Sequence, residues 1–220
     1  MPRTTIALTA GLILGLTNGI ANALPLVNAS FESPTTSNIV IENTGLTPAT
    51  ADGWTWVGSS GILNGTGANT FETTARTGLD GSQHAYLQAG ETSSSIAQGF
   101  TMGWAGIATI SWMEAGRSAA LAFDGDTTYS VTAGGLTTTA STTSGSAFQS
   151  HTLTGYLTAG AYTLIFQNTS GAGDHTMYLD NVSIEVPEPR ALGMLGLGLI
   201  GLAGVRFIGR SKPQQSAAAA

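Results

Sequence analysis

The chain has 220 residues, 9% of them charged and 42% hydrophobic, with 30 glycines and no cysteine. The missing cysteines exclude a disulfide framework and thiolate zinc sites, and the length allows one domain with targeting segments at its ends. Between Leu24 and Pro189 two arginines, Arg76 and Arg117, face thirteen carboxylates with no lysine, a net charge of −11; such a surface lacks the cations that nucleic acid and anionic lipid require.

In chain order, the N-terminus opens with Arg3, an apolar run from Ile6 to Leu16 and the small-residue stretch Ala21-Asn22-Ala23. These are the three parts of a secretory signal peptide, and they predict cleavage before Leu24, leaving residues 1–23 as the leader. The apolar run is too short to span a bilayer.

Residues 24–185 read as a β domain. Predicted strands are His84 to Ala89, a segment around Ile96, Gly106 to Ala115, Ser118 to Gly125, Thr127 to Thr132, a segment around Leu153, AYTLIFQN, and HTMYLDNVSIEV. Ala108, Ile110, Trp112 and Glu114 alternate with Thr109, Ser111 and Met113. Tyr178, Asp180, Val182 and Ile184 alternate with Leu179, Asn181 and Ser183. Period two with Gly, Asn and Asp punctuation predicts antiparallel strands with one buried face, and about eight of them predict an all-β sandwich or jelly roll. The Thr-rich segment Leu136 to Ser146 reads as a loop or an exposed edge. Asp124-Gly125-Asp126 reads as a hairpin turn rather than a calcium loop, because the remaining EF-hand oxygens are missing.

Behind the domain, Val186-Pro187-Glu188-Pro189 precedes a Gly/Leu-rich apolar stretch, 191–209, which Arg206 interrupts and Arg210 and Lys212 follow; residues 213–220 read as a disordered tail. The apolar stretch is a marginal transmembrane helix, and the basic residues place its far end in the cytoplasm. The prolines keep the preceding chain extended and stop the helix from growing backwards. This order of Pro187, Glu188 and Pro189, helix, and basic cluster over residues 186–212 resembles the PEP-CTERM sorting signal. The resemblance implies recognition by an exosortase in a Gram-negative bacterium that makes exopolysaccharide. It also implies membrane anchoring before processing and a cell-surface or matrix location after it. The continuation Pro-Gln-Gln-Ser-Ala-Ala-Ala-Ala beyond the basic cluster departs from that pattern.

The landmarks LVNASFESP, Gly53-Trp54, GSQHAYLQAG, ISWMEAGR, YTLIFQNTSG and YLDNVSIE resemble, in their order, the galactose-binding-like jelly roll of many carbohydrate-binding modules. That resemblance implies a structural calcium ion held by Glu32 and Asp180, hard carboxylate ligands that would tie the first strand to the last.

The residues themselves point to no reaction. His84, His151 and His175 lack ligand spacing, and no G-x-S-x-G elbow occurs. Glu72, Glu91 and Glu114 are the carboxylates a glycosidase would draw on. The aromatic residues offer a binding function, since indole rings stack on sugar faces. Trp54 and Trp112 lie in apolar strand patterns and read as core. Trp56 and Trp104 sit beside turns and read as an exposed platform, and Arg117 reads as a partner of Glu114 or of a hydroxyl. The sequence thus predicts a non-enzymatic exported module that contacts exopolysaccharide. The alternatives are a structural matrix protein without a ligand and, more remotely, a glycoside hydrolase.

Overall fold

A computed structural model describes residues 21–41, 53–68, 71–72, 75–89, 93–118, 126–171 and 173–188. Twelve strands lie in these residues, β1 Ala21–Leu24, β2 Ile39–Ile41, β3 Thr55–Val57, β4 Ser59–Asn64, β5 Gln83–Ala89, β6 Ser95–Met102, β7 Gly106–Gly116, β8 Thr127–Ala133, β9 Leu136–Thr142, β10 Gln149–Leu157, β11 Gly160–Asn168 and β12 His175–Pro187. The smaller sheet has the order β3-β6-β11-β8-β9. The larger has the order β10-β7-β12-β5-β4-β2, with β1 also paired to β12. Every pairing is antiparallel.

The last eight strands pair in a nested way. β5 meets β12, β6 meets β11, β7 meets β10 and β8 meets β9. A doubled ribbon rolled so that its strands alternate between two sheets is a jelly roll. β3 extends the smaller sheet and β4 and β2 the larger at their edges, while β1 pairs with the end of β12. Ala21–Pro187 forms one compact unit.

The core lies between the sheets and contains Trp54, Trp112, Phe166, Ile96, Ile110 and Leu87, all at 1% exposure or less. Burying such side chains contributes about 1.5–3 kcal/mol each. Both core indole N–H groups have partners: Trp54 Nε1 donates to the Asn28 carbonyl at 3.1 Å, and Trp112 Nε1 donates to Tyr129 Oη at 3.1 Å. A second apolar cluster, with Tyr86, Tyr178, Leu63 and Phe148, lies on the outer face of the larger sheet, where Phe71 and Leu79 cover it.

The predicted strands correspond to β5, β6, β7, β8, β10, β11 and β12. Residues 119–125, which hold most of the predicted Ser118 to Gly125 strand and the Asp124-Gly125 pair, lie outside the described residues. The Thr-rich segment is an edge strand, β9. The alternation read through β12 needs one correction. A bulge between Asp180 and Ser183, with Asn181 at φ 47°, adds a residue to that strand. It turns Leu179, Val182 and Ile184 to the same core and leaves Tyr178 in the outer cluster. An inserted residue shifts a period-two pattern by one, and nothing in the side-chain pattern marks it.

Candidate functional site

Glu32 and Asp180 come to one loop. Glu32 Oε1 accepts hydrogen bonds from the backbone N–H groups of Ser82 at 2.8 Å and Gln83 at 2.7 Å, and its Oε2 accepts from Ser82 Oγ at 2.9 Å. Asp180 accepts from the Asp80 N–H at 2.8 Å and from the Asn181 N–H at 2.7 Å. Asp80 in turn accepts from Ser30 Oγ at 2.8 Å. The strand-entry segment, the loop at 80–83 and the bulge of β12 are thereby clasped together. Asp180 is fully buried, and burial pushes its carboxyl up to about 7, assisted by the charges of Asp80 and Glu32 and opposed by the two amide bonds. Among the described residues no group of three or more acidic or histidine side chains is arranged to hold a metal ion. Asp80 had no sequence signal beyond its charge.

The tryptophans separate. Trp56 is 4% exposed and packs edge-on to Phe31 at 6.2 Å, so the reading of it as an exposed platform is corrected. In β3 it is Thr55 and Val57 that face solvent, because the middle residue of a three-residue strand takes the core face. Trp104 is half-buried against the core, and its Nε1 donates to the Pro187 carbonyl at 3.3 Å.

Among the described residues the exposed aromatic ring is Tyr156, 64% exposed on β10, and opposite it on β7 stands Ile107, 55% exposed. Their neighbours on the same outer face are Thr109 with Thr154, joined by hydroxyls at 3.3 Å, and Ser111 with Thr152. Ser183 and Glu185 continue the surface on β12. The second apolar cluster lies on another part of the larger sheet's outer face, and among the described residues Tyr156 and Ile107 are left exposed. A Cβ on Gly106 would come within 3.8 Å of the Trp104 indole, so Trp104 stands at the same end of β7. The sequence places Tyr156 in a Thr/Gly alternation, which carries no signal of its own; what exposes it is the choice of covered face.

Arg117, Glu114, Glu72 and Arg76 have partners. Arg117 does not meet Glu114: its Nη1 pairs with Asp174 at 2.8 Å and its guanidinium lies over the Phe71 ring. Glu114 instead pairs with His151 Nε2 at 2.9 Å, and burial raises its carboxyl above the usual range while His151 opposes the shift. Glu72 pairs with Arg76, whose guanidinium also donates to the carbonyls of Ser146 and Gly116. These groups border a polar hollow of about 190 Å³, lined by Glu72, Arg76, Thr77, Ser118 and Ser146. It is smaller than the roughly 300 Å³ at which ligand pockets begin. Glu91 lies outside the described residues.

The predicted leader and sorting signal are described only where they touch the domain. Ala23 and Leu24 belong to β1, opposite Glu185 and Ile184, so cleavage between them removes three of the four residues of that strand. Pro187 ends β12 opposite Ala21. Pro189, Arg206, Arg210 and Lys212, with the apolar stretch 191–209, lie outside the described residues. Among the described residues no helix is long and apolar enough to cross a membrane.

Residues 22–104, less than half of the chain, match the family model "HpiC1-like: HpiC1 cyclase". No curated protein matches the chain. Among solved structures, the CBM22-1 xylan-binding domain from Paenibacillus barcinonensis Xyn10C is similar with a TM-score of 0.47 at 13% identity, over 78% of this chain and 97% of that one. TmCBM61 in complex with β-1,4-galactotriose is similar with a TM-score of 0.41 at 12% identity, over 74% and 98%. The enzymatically active domain of bacteriophage CBA120 tailspike protein 4 has a TM-score of 0.45 at 12% identity; the match covers 73% of this chain and 21% of that one. The jelly-roll assignment itself rests on the strand registers.

Proposed function

We propose that this chain is an exported, non-enzymatic envelope or matrix protein that binds exopolysaccharide around Tyr156 on the outer face of its larger sheet. In this reading a PEP-CTERM-like tail delivers it and an exosortase-type enzyme processes it. The observation that carries the binding role is the Tyr156 ring, exposed beside Ile107 on a face that also holds the hydroxyls of Thr109, Ser111, Thr152 and Thr154. An aromatic ring offers a sugar its apolar face, and the threonine and serine hydroxyls donate and accept around it. Trp104 adds a second aromatic surface at the same end. A calcium ion at Glu32 and Asp180 belongs to the same proposal: a buried carboxyl with a raised pKa gains most from a nearby cation. The test is affinity electrophoresis of the protein through a panel of polysaccharides that includes the host matrix. Retardation by one glycan supports the reading, and free migration through all of them removes it.

Two observations favour other readings. The outer face of the smaller sheet is rich in Thr and Ser, with Thr128, Ser130, Thr132, Thr137, Thr139 and Ser141, as suits a structural matrix protein without a ligand. The family match over residues 22–104 favours a cyclase, and the paired side chains of Glu114 and His151 lie outside that segment.

A further inference from the structure

The five strands of the smaller sheet contain no Asp, Glu, Lys or Arg. From Thr127 to Gly173 the chain carries no such residue at all, within a domain of net charge −11. The last strand of this sheet is β9, LTTTAST.

Its register fixes which backbone groups are open. Gly134 and Gly135, at φ 56° and 88°, form the two-residue turn that closes Ala133 onto Leu136. The pair flanking such a turn is hydrogen-bonded, and bonding alternates from there. Val131 with Thr138, Tyr129 with Ala140 and Thr127 with Thr142 are therefore the bonded pairs. Thr137, Thr139 and Ser141 turn their N–H and C=O groups away from β8, and their side chains are exposed. Among the described residues no strand pairs with this edge. Nor does the edge carry the usual protection, since it has no lysine, no proline and no bulge.

We infer that the free edge of β9 pairs with β9 of a second copy of this chain. This goes beyond the proposed glycan binding and does not depend on it. The strand is complementary to itself: an antiparallel pair centred on Thr139 sets Thr137 opposite the partner's Ser141. It adds about six backbone hydrogen bonds. Among the outward-facing Thr137, Thr139 and Ser141 the cross-strand contacts are hydroxyl on hydroxyl, with no like charges opposed. Two acidic domains repel least where neither carries charge, and the uncharged sheet is the side on which β9 lies. The product is a two-fold dimer with one continuous ten-stranded sheet.

Sedimentation of the full chain in detergent, with and without substitutions at Thr139, tests this. The wild type is expected to sediment with the mass of two chains. Thr139→Pro deletes an N–H that serves no bond within the monomer, and Thr139→Lys sets two like charges against each other at the axis. Each alone should give one chain with an unchanged melting temperature. Mixing Thr139→Lys with Thr139→Glu should restore the two-chain species by joining opposite charges. The inference is overturned by a monomeric wild type at every concentration, by a dimer that persists in Thr139→Lys and Thr139→Pro, or by a mixture that stays monomeric.

Discussion

Ile107 and Tyr156 stand opposite each other on neighbouring strands of the larger sheet, and both are more than half exposed. Apolar side chains elsewhere on that face are covered by Phe71, Leu79 and Phe148. An uncovered aromatic–aliphatic pair on a hydroxyl-lined surface is the contact the glycan reading depends on. Tyr156→Ala should weaken retardation by the bound polysaccharide by about 1–1.5 kcal/mol, roughly tenfold in affinity. Because the ring is at the surface, the melting temperature should hardly move. A variant that binds as tightly as the wild type places the site elsewhere.

Trp56 should behave in the opposite way. Its ring is buried against Phe31, so Trp56→Ala opens a cavity and is expected to cost about 3–5 kcal/mol of stability. Denaturant unfolding measures this directly. A small stability loss combined with lost glycan binding would return Trp56 to the surface role its sequence position suggested.

His84 supplies a pH dependence with a definite sign. It is fully buried between Tyr178, at 4.6 Å between ring centroids, and Phe148, at 5.6 Å, and neither ring nitrogen has a hydrogen-bond partner. Burial, followed by the nearby Arg76 charge, lowers its pKa from 6.5 to about 3. The unfolded chain therefore binds a proton from pH 6.5 downward while the folded chain does not. Stability is lost as pH falls from about 6.5 toward 3, with a limiting slope of about 1.4 kcal/mol per pH unit. His84→Phe keeps the aromatic contacts and should flatten this part of the stability–pH curve. Parallel curves for variant and wild type would show that His84 does not titrate this way.

The clasp at Glu32 and Asp180 tests the cation. If calcium is bound there, EDTA should lower the melting temperature and added calcium should restore it. Glu32→Gln should abolish that response. Melting curves that superimpose with and without EDTA leave only the amide bonds from the loop at 80–83 to account for the carboxylates.

Delivery has its own test. Replacing Pro187, Glu188 and Pro189 by alanine in the exporting host should leave an unprocessed precursor in the membrane fraction. Identical fractionation of variant and wild type counts against the sorting reading.

By itself the sequence determined the fold class, because period-two alternation such as that from Ala108 to Glu114 follows from strand geometry alone. It determined that Trp54 and Trp112 are core, since each lies in an apolar pattern, and that the domain is acidic and without lysine. Tertiary structure decided what depends on distant neighbours. The bulge at Asn181 moved Tyr178 away from Val182 and Ile184. Trp56 is buried because it points into the core between the sheets, against Phe31, while Tyr156 is exposed because Phe71, Leu79 and Phe148 pack over a different part of the larger sheet's outer face. Arg117 met Asp174, and Glu114 met His151 on the adjacent strand, pairings between segments far apart in sequence. Local periodicity sets the side of a strand on which a residue points; only the packing of remote segments decides whether that side meets water.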